Sequence, residues 1–196
     1  MVSEERLKTV QYSPEHLESL KIFCEKCRLE GNLNNSSLKA MRLEWALETG
    51  GQFFLTYLDD ELISVSGCHP LPAAGPGIFR VLFRGIELAE YRNVFDIVSK
   101  SHMSSIPFYY HLPLQREWAK QQGAETLVIT TNKQNPDGIV SMDQSHRVFQ
   151  LLEKQGMVTC LTESIMLFGT EQSIWGINLD YYDTAREGFR ERNGLR

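Results

Sequence analysis

Cys24 and Cys27 form a C-x-x-C pair, a spacing that suits a metal ion or a dithiol. The pair falls on the face of a predicted helix that also carries Leu17 and Leu20, and no second ligand pair follows at zinc-finger spacing. The reading is a buried, reduced packing role with no metal site. Glu87 and Glu90 are carboxylates near the end of an apolar strand that begins at Ile78. Period-two alternation puts Phe79, Val81, Phe83, Gly85 and Glu87 on one side of it. If that side is the core, Glu87 is partly desolvated and its raised pKa suits a proton acceptor. If the strand stops at Gly85, Glu87 is a surface acid. Lys100-Ser101-His102-Met103-Ser104-Ser105 offers hydroxyls and a cation, which can cradle an anion or simply cap a helix. Tyr109, Tyr110 and His111 follow; either phenol can donate a proton, whereas a lone helical histidine reads first as a packed or surface side chain.

The elements that must position these residues are legible in outline. A strand near Leu7–Gln11 leads into a helix with Ser13 as cap and Pro14 in the first turn, continued by Leu17, Leu20, Cys24 and Cys27. Ser36 or Ser37 can cap a second helix, with Leu38, Met41 and Trp45 at helical spacing and Gly50-Gly51 as its stop. Gln52–Leu58 and Glu61–His69 read as an antiparallel hairpin across Asp59-Asp60. A Pro and Gly loop from Pro70 to Gly77 precedes the strand Ile78–Leu88. Ser105–Gln122 reads as a helix in which Pro113 either makes a kink or marks the true beginning. Leu127-Val128-Ile129 gives the strand Glu125–Thr131 an apolar run suited to cover on both faces. Ser141-x-x-Gln144 resembles a capping box for a helix buried through Val148, Phe149, Leu151 and Leu152 and closed at Gly156. Strands Met157–Phe168 and Ser173–Asn178, linked by Gly169-Thr170-Glu171, follow. The tail Asp180–Arg196 can form a terminal helix, cover a sheet edge, reach a partner subunit or fray after Tyr182.

At 196 residues, 42% apolar and 23% charged, the chain has the composition of one soluble domain. A formal charge of -5 gives no reason to expect nucleic acid or an anionic membrane as partner. No stretch reaches membrane-spanning length and no secretory pattern opens the chain, so the expected location is cytoplasmic. The order of elements excludes a doubly wound Rossmann sheet, and no dinucleotide or Walker-type glycine loop is present.

That order, together with Val148-Phe149-Gln150-Leu151-Leu152-Glu153-Lys154-Gln155-Gly156-Met157, resembles the GNAT family, the N-acetyltransferases that use acetyl-coenzyme A. The ten residues look like the helix-ending A-x-x-L-Y-E-K-x-G-F pattern of that family. The resemblance covers most of the chain. It implies an α/β (α+β) fold in which helices flank a mixed, strongly twisted central sheet whose middle strands splay apart around the thioester. It also implies a single domain, 1–196, with 180–196 as a C-terminal extension.

The resemblance assigns roles and meets departures. Asn132 stands where many of these enzymes have an Asn that contacts the cofactor. Lys100, Ser101, His102, Met103, Ser104 and Ser105 fall where the family carries a glycine-rich pyrophosphate loop, and they contain no glycine. Leu152 occupies the place of a Tyr that protonates the departing thiolate, leaving that role empty or filled from elsewhere. Glu87 or Glu90 is the implied base, and the backbone of Ile86 and Leu88 the implied partner of the pantetheine arm.

The expected function is acyl-CoA-dependent N-acyl transfer, with acetyl-CoA or another acyl-CoA as cosubstrate and direct attack by a primary amine. The expected partner is a small-molecule or peptide amine, with a homodimer left open. The alternative is a catalytically inactive GNAT-fold binding or regulatory module, which the missing glycines and Leu152 favour. A third reading replaces the donor with acyl-carrier protein or aminoacyl-tRNA, the latter disfavoured by the acidic balance.

Overall fold

The computed structural model describes residues 7–29, 40–86, 110–132, 144–167 and 169–193. Seven strands form one sheet. They are β1 (Leu7–Gln11), β2 (Gln52–Leu58), β3 (Glu61–Pro70), β4 (Ile78–Ile86), β5 (Thr126–Asn132), β6 (Val158–Leu167) and β7 (Thr170–Ile177). The helices are α1 (Leu17–Leu29), α2 (Ala40–Glu48), α3 (Leu112–Gln121), α4 (Gln144–Lys154) and α5 (Leu179–Asn193). Sheet order is β1-β2-β3-β4-β5-β7-β6, antiparallel throughout except where β4 and β5 run parallel.

Strand phase decides what each face buries. Phe53, Leu55 and Val65 project with Leu20, Phe23 and Cys24 of α1 and with Leu43 and Ala46 of α2 into one core. Phe54, Cys68, Phe79, Val81, Leu127, Ile129 and Trp175 project to the other face, against Leu112 and Ala119 of α3, Phe149 of α4 and Tyr182 of α5. Val128, wholly buried, packs with Leu71, Leu167 and Ile174, so β5 is covered on both sides as its apolar run predicts. Trp175 anchors the larger core, its ring centroid 5.7 Å from that of Phe149, and its indole Nε1–H donates to Thr131 Oγ1 at 2.8 Å.

Local chemistry sets the element ends. His16 takes the place of an acid in the capping turn before α1: its Nδ1 accepts from the Ser13 amide, and its own amide bonds Ser13 O. Both α3 and α4 close with a glycine at positive φ and the paired bonds of a Schellman turn. Gly123 N–H and Ala124 N–H reach Lys120 O and Ala119 O; Gly156 N–H and Met157 N–H reach Glu153 O and Leu152 O. Pro113 marks the start of α3, where an amide has no helical acceptor to lose.

Several expectations change. Leu151 is 58% exposed, so Phe149 and Leu152 carry the inner face of α4 without it, while the Val148 side chain and Ser141 lie outside the described residues. Thr170 and Glu171 belong to β7, paired with Leu167 and Met166, because the hairpin turns more tightly than a three-residue link. The tail neither frays after Tyr182 nor covers an edge: α5 continues to Asn193, and buried Tyr182 holds it in the main core. Arg116 of α3 pairs with Asp183 beside that contact. Cys24 is buried and its thiol is pushed up to about 12 by desolvation, which suits packing; the Cys27 side chain lies outside the described residues.

Candidate functional site

The parallel junction of β4 and β5 is short. Ile78, Phe79 and Arg80 pair with Thr126, Leu127 and Val128, and there the ladder between the two strands ends. Both strands continue: β4 to Ile86, paired with β3, and β5 to Asn132, paired with β7. From Val81 and Ile129 onward, the edges that face each other share no ladder among the described residues. A wedge therefore opens at the C-terminal ends of the two central strands, with backbone amides and carbonyls on both walls.

A bulge in β4 explains the divergence. Leu82 pairs with Gly67 and Gly85 with Val65, so β4 carries one residue more than β3 between these pairs. An extra residue bends its strand and increases the local twist. It also breaks the alternation from which Glu87 was placed. Val81 stands opposite Cys68 on the α3 face, whereas Gly85 stands opposite Val65, which belongs to the α1 core. Phe79 and Val81 thus do not share a side with Gly85, and a single period-two alternation does not run through the bulge. A bulge is set by the pairing of two strands and leaves no mark in a period-two pattern.

Of the residues that the family resemblance assigns to the site, Ile86 and Asn132 are placed, and they terminate the two walls of the wedge. Ile86 pairs with Ser64. Asn132 pairs with Gln172, and its Oδ1 is a long 3.4 Å from the Thr170 hydroxyl that donates to it. Glu87, Leu88, Glu90, Lys100, Ser101, His102, Met103, Ser104, Ser105 and Tyr109 lie outside the described residues. Leu152, where a proton-donating Tyr was sought, is half-buried and packs on the core around Phe149 and Trp175.

Sequence reasoning missed a polar chain beneath the start of α3. His111 is wholly buried, with Nε2 2.7 Å from Thr56 Oγ1 of β2 and Nδ1 2.7 Å from Ser66 Oγ of β3. Gln115, one turn on and equally buried, donates from Nε2 to Ser66 Oγ at 2.7 Å and to Gly67 O at 3.1 Å. Thr56 Oγ1 lies 2.8 Å from Thr9 Oγ1 of β1. The Gly67 carbonyl fixes which end of the Gln115 amide faces β3, since an oxygen there would meet an oxygen. Ser66 then accepts from Gln115 and donates to His111 Nδ1. The imidazole carries its proton on Nε2 and donates to Thr56, which donates to Thr9 at the half-buried edge. The reverse order would leave the Ser66 hydroxyl hydrogen without an acceptor among the described residues. Desolvation pulls the His111 pKa down to about 3, so the ring is neutral at ordinary pH. The trace of this network in sequence is that Thr56 and Ser66 are polar residues within largely apolar strands.

Among the described residues no three His, Cys, Asp or Glu side chains gather as metal ligands, and no helix is long and apolar enough to cross a membrane.

No family model matches the chain, and no curated protein matches its sequence. Solved structures match its fold. An acetyltransferase of the GNAT family from Staphylococcus aureus shares 14% identity at a TM-score of 0.51, covering 87% of this chain and 98% of its own. The aminoglycoside 6'-N-acetyltransferase of Enterococcus faecium gives 12% and 0.53, with 86% and 94% covered. FeeM, an N-acyl amino acid synthase from uncultured soil microbes, gives 9% and 0.55, with 93% and 96% covered. The chain has the GNAT acyltransferase fold, as the resemblance in sequence implies.

Proposed function

We propose that the protein is an acyl-CoA-dependent N-acyltransferase that moves an acetyl or related acyl group to a primary amine. The observation that carries this reading is the wedge between β4 and β5. Its walls present strand backbone, which suits an arm of alternating amides and methylenes such as pantetheine. Val81 and Ile129, both buried on the α3 face, supply the apolar side. The geometry needs no special side chain there, so the missing loop glycines do not exclude it.

In this reading the backbone near Ile86 and Leu88 holds the arm and polarises the thioester carbonyl. Asn132 borders the same mouth, and Lys100 with Ser101, His102, Met103, Ser104 and Ser105 meets the phosphates. The neutral amine attacks the carbonyl carbon. An N–C bond forms, the C–S bond breaks, and the thiolate leaves with the electron pair. Glu87 or Glu90, directly or through water, takes the ammonium proton. Solvent protonates the thiolate, since Leu152 has no proton to give.

Thiol release from acetyl-CoA in the presence of a panel of primary amines tests the reaction. Amine-dependent release, slowed about a hundredfold or more in Glu87→Gln or Glu90→Gln, is the expected result. Release that no amine accelerates, from protein that binds acetyl-CoA, would favour the inactive binding module. Unchanged rates across pH in both variants would reject the carboxylates as base.

A further inference from the structure

β3 meets both ends of the chain segment 87–109. Ile86, just before it, pairs with Ser64, and His111, just after it, bonds Ser66 two residues along the same strand. Side chains at i and i+2 share a face and lie about 7 Å apart. Ser66 also stands between Val65 and Gly67, whose partners Gly85 and Leu82 enclose the β4 bulge. One hydroxyl therefore sits opposite the point where β4 turns from β5 and, through the imidazole, holds the point where α3 begins.

We propose that His111 is a positioning residue for the wedge: held between Thr56 and Ser66, its ring sets the start of α3 against β3 and stiffens the bulged part of β4. The role deepens the acyltransferase reading, because the bulge defines one wall of the opening, but His111 touches no substrate. The physical basis is the dryness of the site. His111, Thr56, Ser66 and Gln115 are all buried, and Gln115 Oε1 already lacks a partner among the described residues, so a further lost bond is not made good by bulk water. Removing the ring leaves the Ser66 O–H without its acceptor and takes from Thr56 the donor it accepts from. Water must then enter beside the bulge, where the β3–β4 ladder is already interrupted. Among the described residues no charged side chain bonds the ring: its partners from β2 and β3 are hydroxyls, and its near neighbour in α3 is an amide.

Amide hydrogen exchange of the full chain at neutral pH tests this without any ligand. His111→Phe and Ser66→Ala should exchange roughly tenfold faster or more, both in α3 and in β4 from Leu82 to Ile86, with α1 and the β6–β7 pair unchanged. His111→Asn, which keeps a donor and an acceptor, should recover part of that protection. Ser66→Ala carries the comparison if His111→Phe does not fold. Acceleration confined to α3, or spread evenly over the chain, would overturn the proposal. A parallel titration with acetyl-CoA separates the two claims: wild-type protein that binds none sinks the acyltransferase reading, whereas the exchange pattern decides the role of His111 by itself.

Discussion

Stability should fall with pH in a way that one side chain controls. His111 titrates near 6.5 in an unfolded chain and near 3 in the fold. The native state refuses the proton, so His111 adds its full stabilisation above about pH 6.5 and loses it as pH falls toward 3. Across that window the unfolded chain binds one proton more than the native protein, a slope of about 1.4 kcal/mol per pH unit. From pH 6.5, where the unfolded imidazole is already half protonated, to pH 4.5 the loss amounts to about 2 kcal/mol. His69 is also held below its usual value, by burial first and by the charge of Arg80 second, with a backbone bond to Pro70 opposing, and it adds to the acid sensitivity. A His111→Gln variant keeps His69 and the carboxylates, so the difference between the two proteins isolates one residue. At neutral pH the variant should be less stable by about 1–3 kcal/mol, the cost of breaking the two buried bonds of the ring to Thr56 and Ser66. As pH falls to 4.5 the wild-type curve should drop relative to that of the variant by about 2 kcal/mol. Urea unfolding at a series of pH values, with constant m checked, reads this directly. Parallel curves separated by a constant gap would refute the buried, neutral imidazole.

Four further outcomes follow from packing and pairing. Thr131→Val leaves the buried indole N–H of Trp175 without its acceptor and should cost about 1–3 kcal/mol in urea unfolding. Gly51→Ala places a Cβ 2.6 Å from Ala46 O and 2.9 Å from His69 Cδ2, and since backbone cannot yield as a side chain can, the melting temperature should drop by several degrees. Tyr182→Ala should destabilise the chain by about 3 kcal/mol through loss of the anchor of α5. Arg116→Ala, which breaks a half-exposed ion pair, should cost less than about 1 kcal/mol in the same assay. Equal effects from these last two would mean that charge rather than burial docks the helix.

What could be read from sequence follows from the range of each interaction. The apolar run at Leu127-Val128-Ile129, the cap at Ser13-Pro14 and the stop at Gly156 are local, and each forms where its residues predict. The order of elements carries the sheet topology because short connections leave few ways to pair the strands. Phase is less secure. The β4 bulge depends on the register between two strands, and one extra residue turned Gly85 away from the face of Val81. The His111 network was hidden for a related reason. Strand pairing brings Thr9 to Thr56 and sets β2 beside β3, but only the packing of α3 on β2 and β3 carries His111 and Gln115 to Thr56 and Ser66. The tail was ambiguous because Tyr182 supplies the apolar contact within a run of charges, and its burial depends on where α3 lies.

Acyl transfer by this protein requires that the wedge between β4 and β5 accept an acyl-CoA. Calorimetric titration of the purified full chain with acetyl-CoA and with coenzyme A measures this most directly. Saturable one-to-one binding is predicted for both, at ligand concentrations of about a millimolar or below, with a matching rise in melting temperature. Folded protein that shows neither heat nor thermal stabilisation with either ligand at that concentration would contradict it.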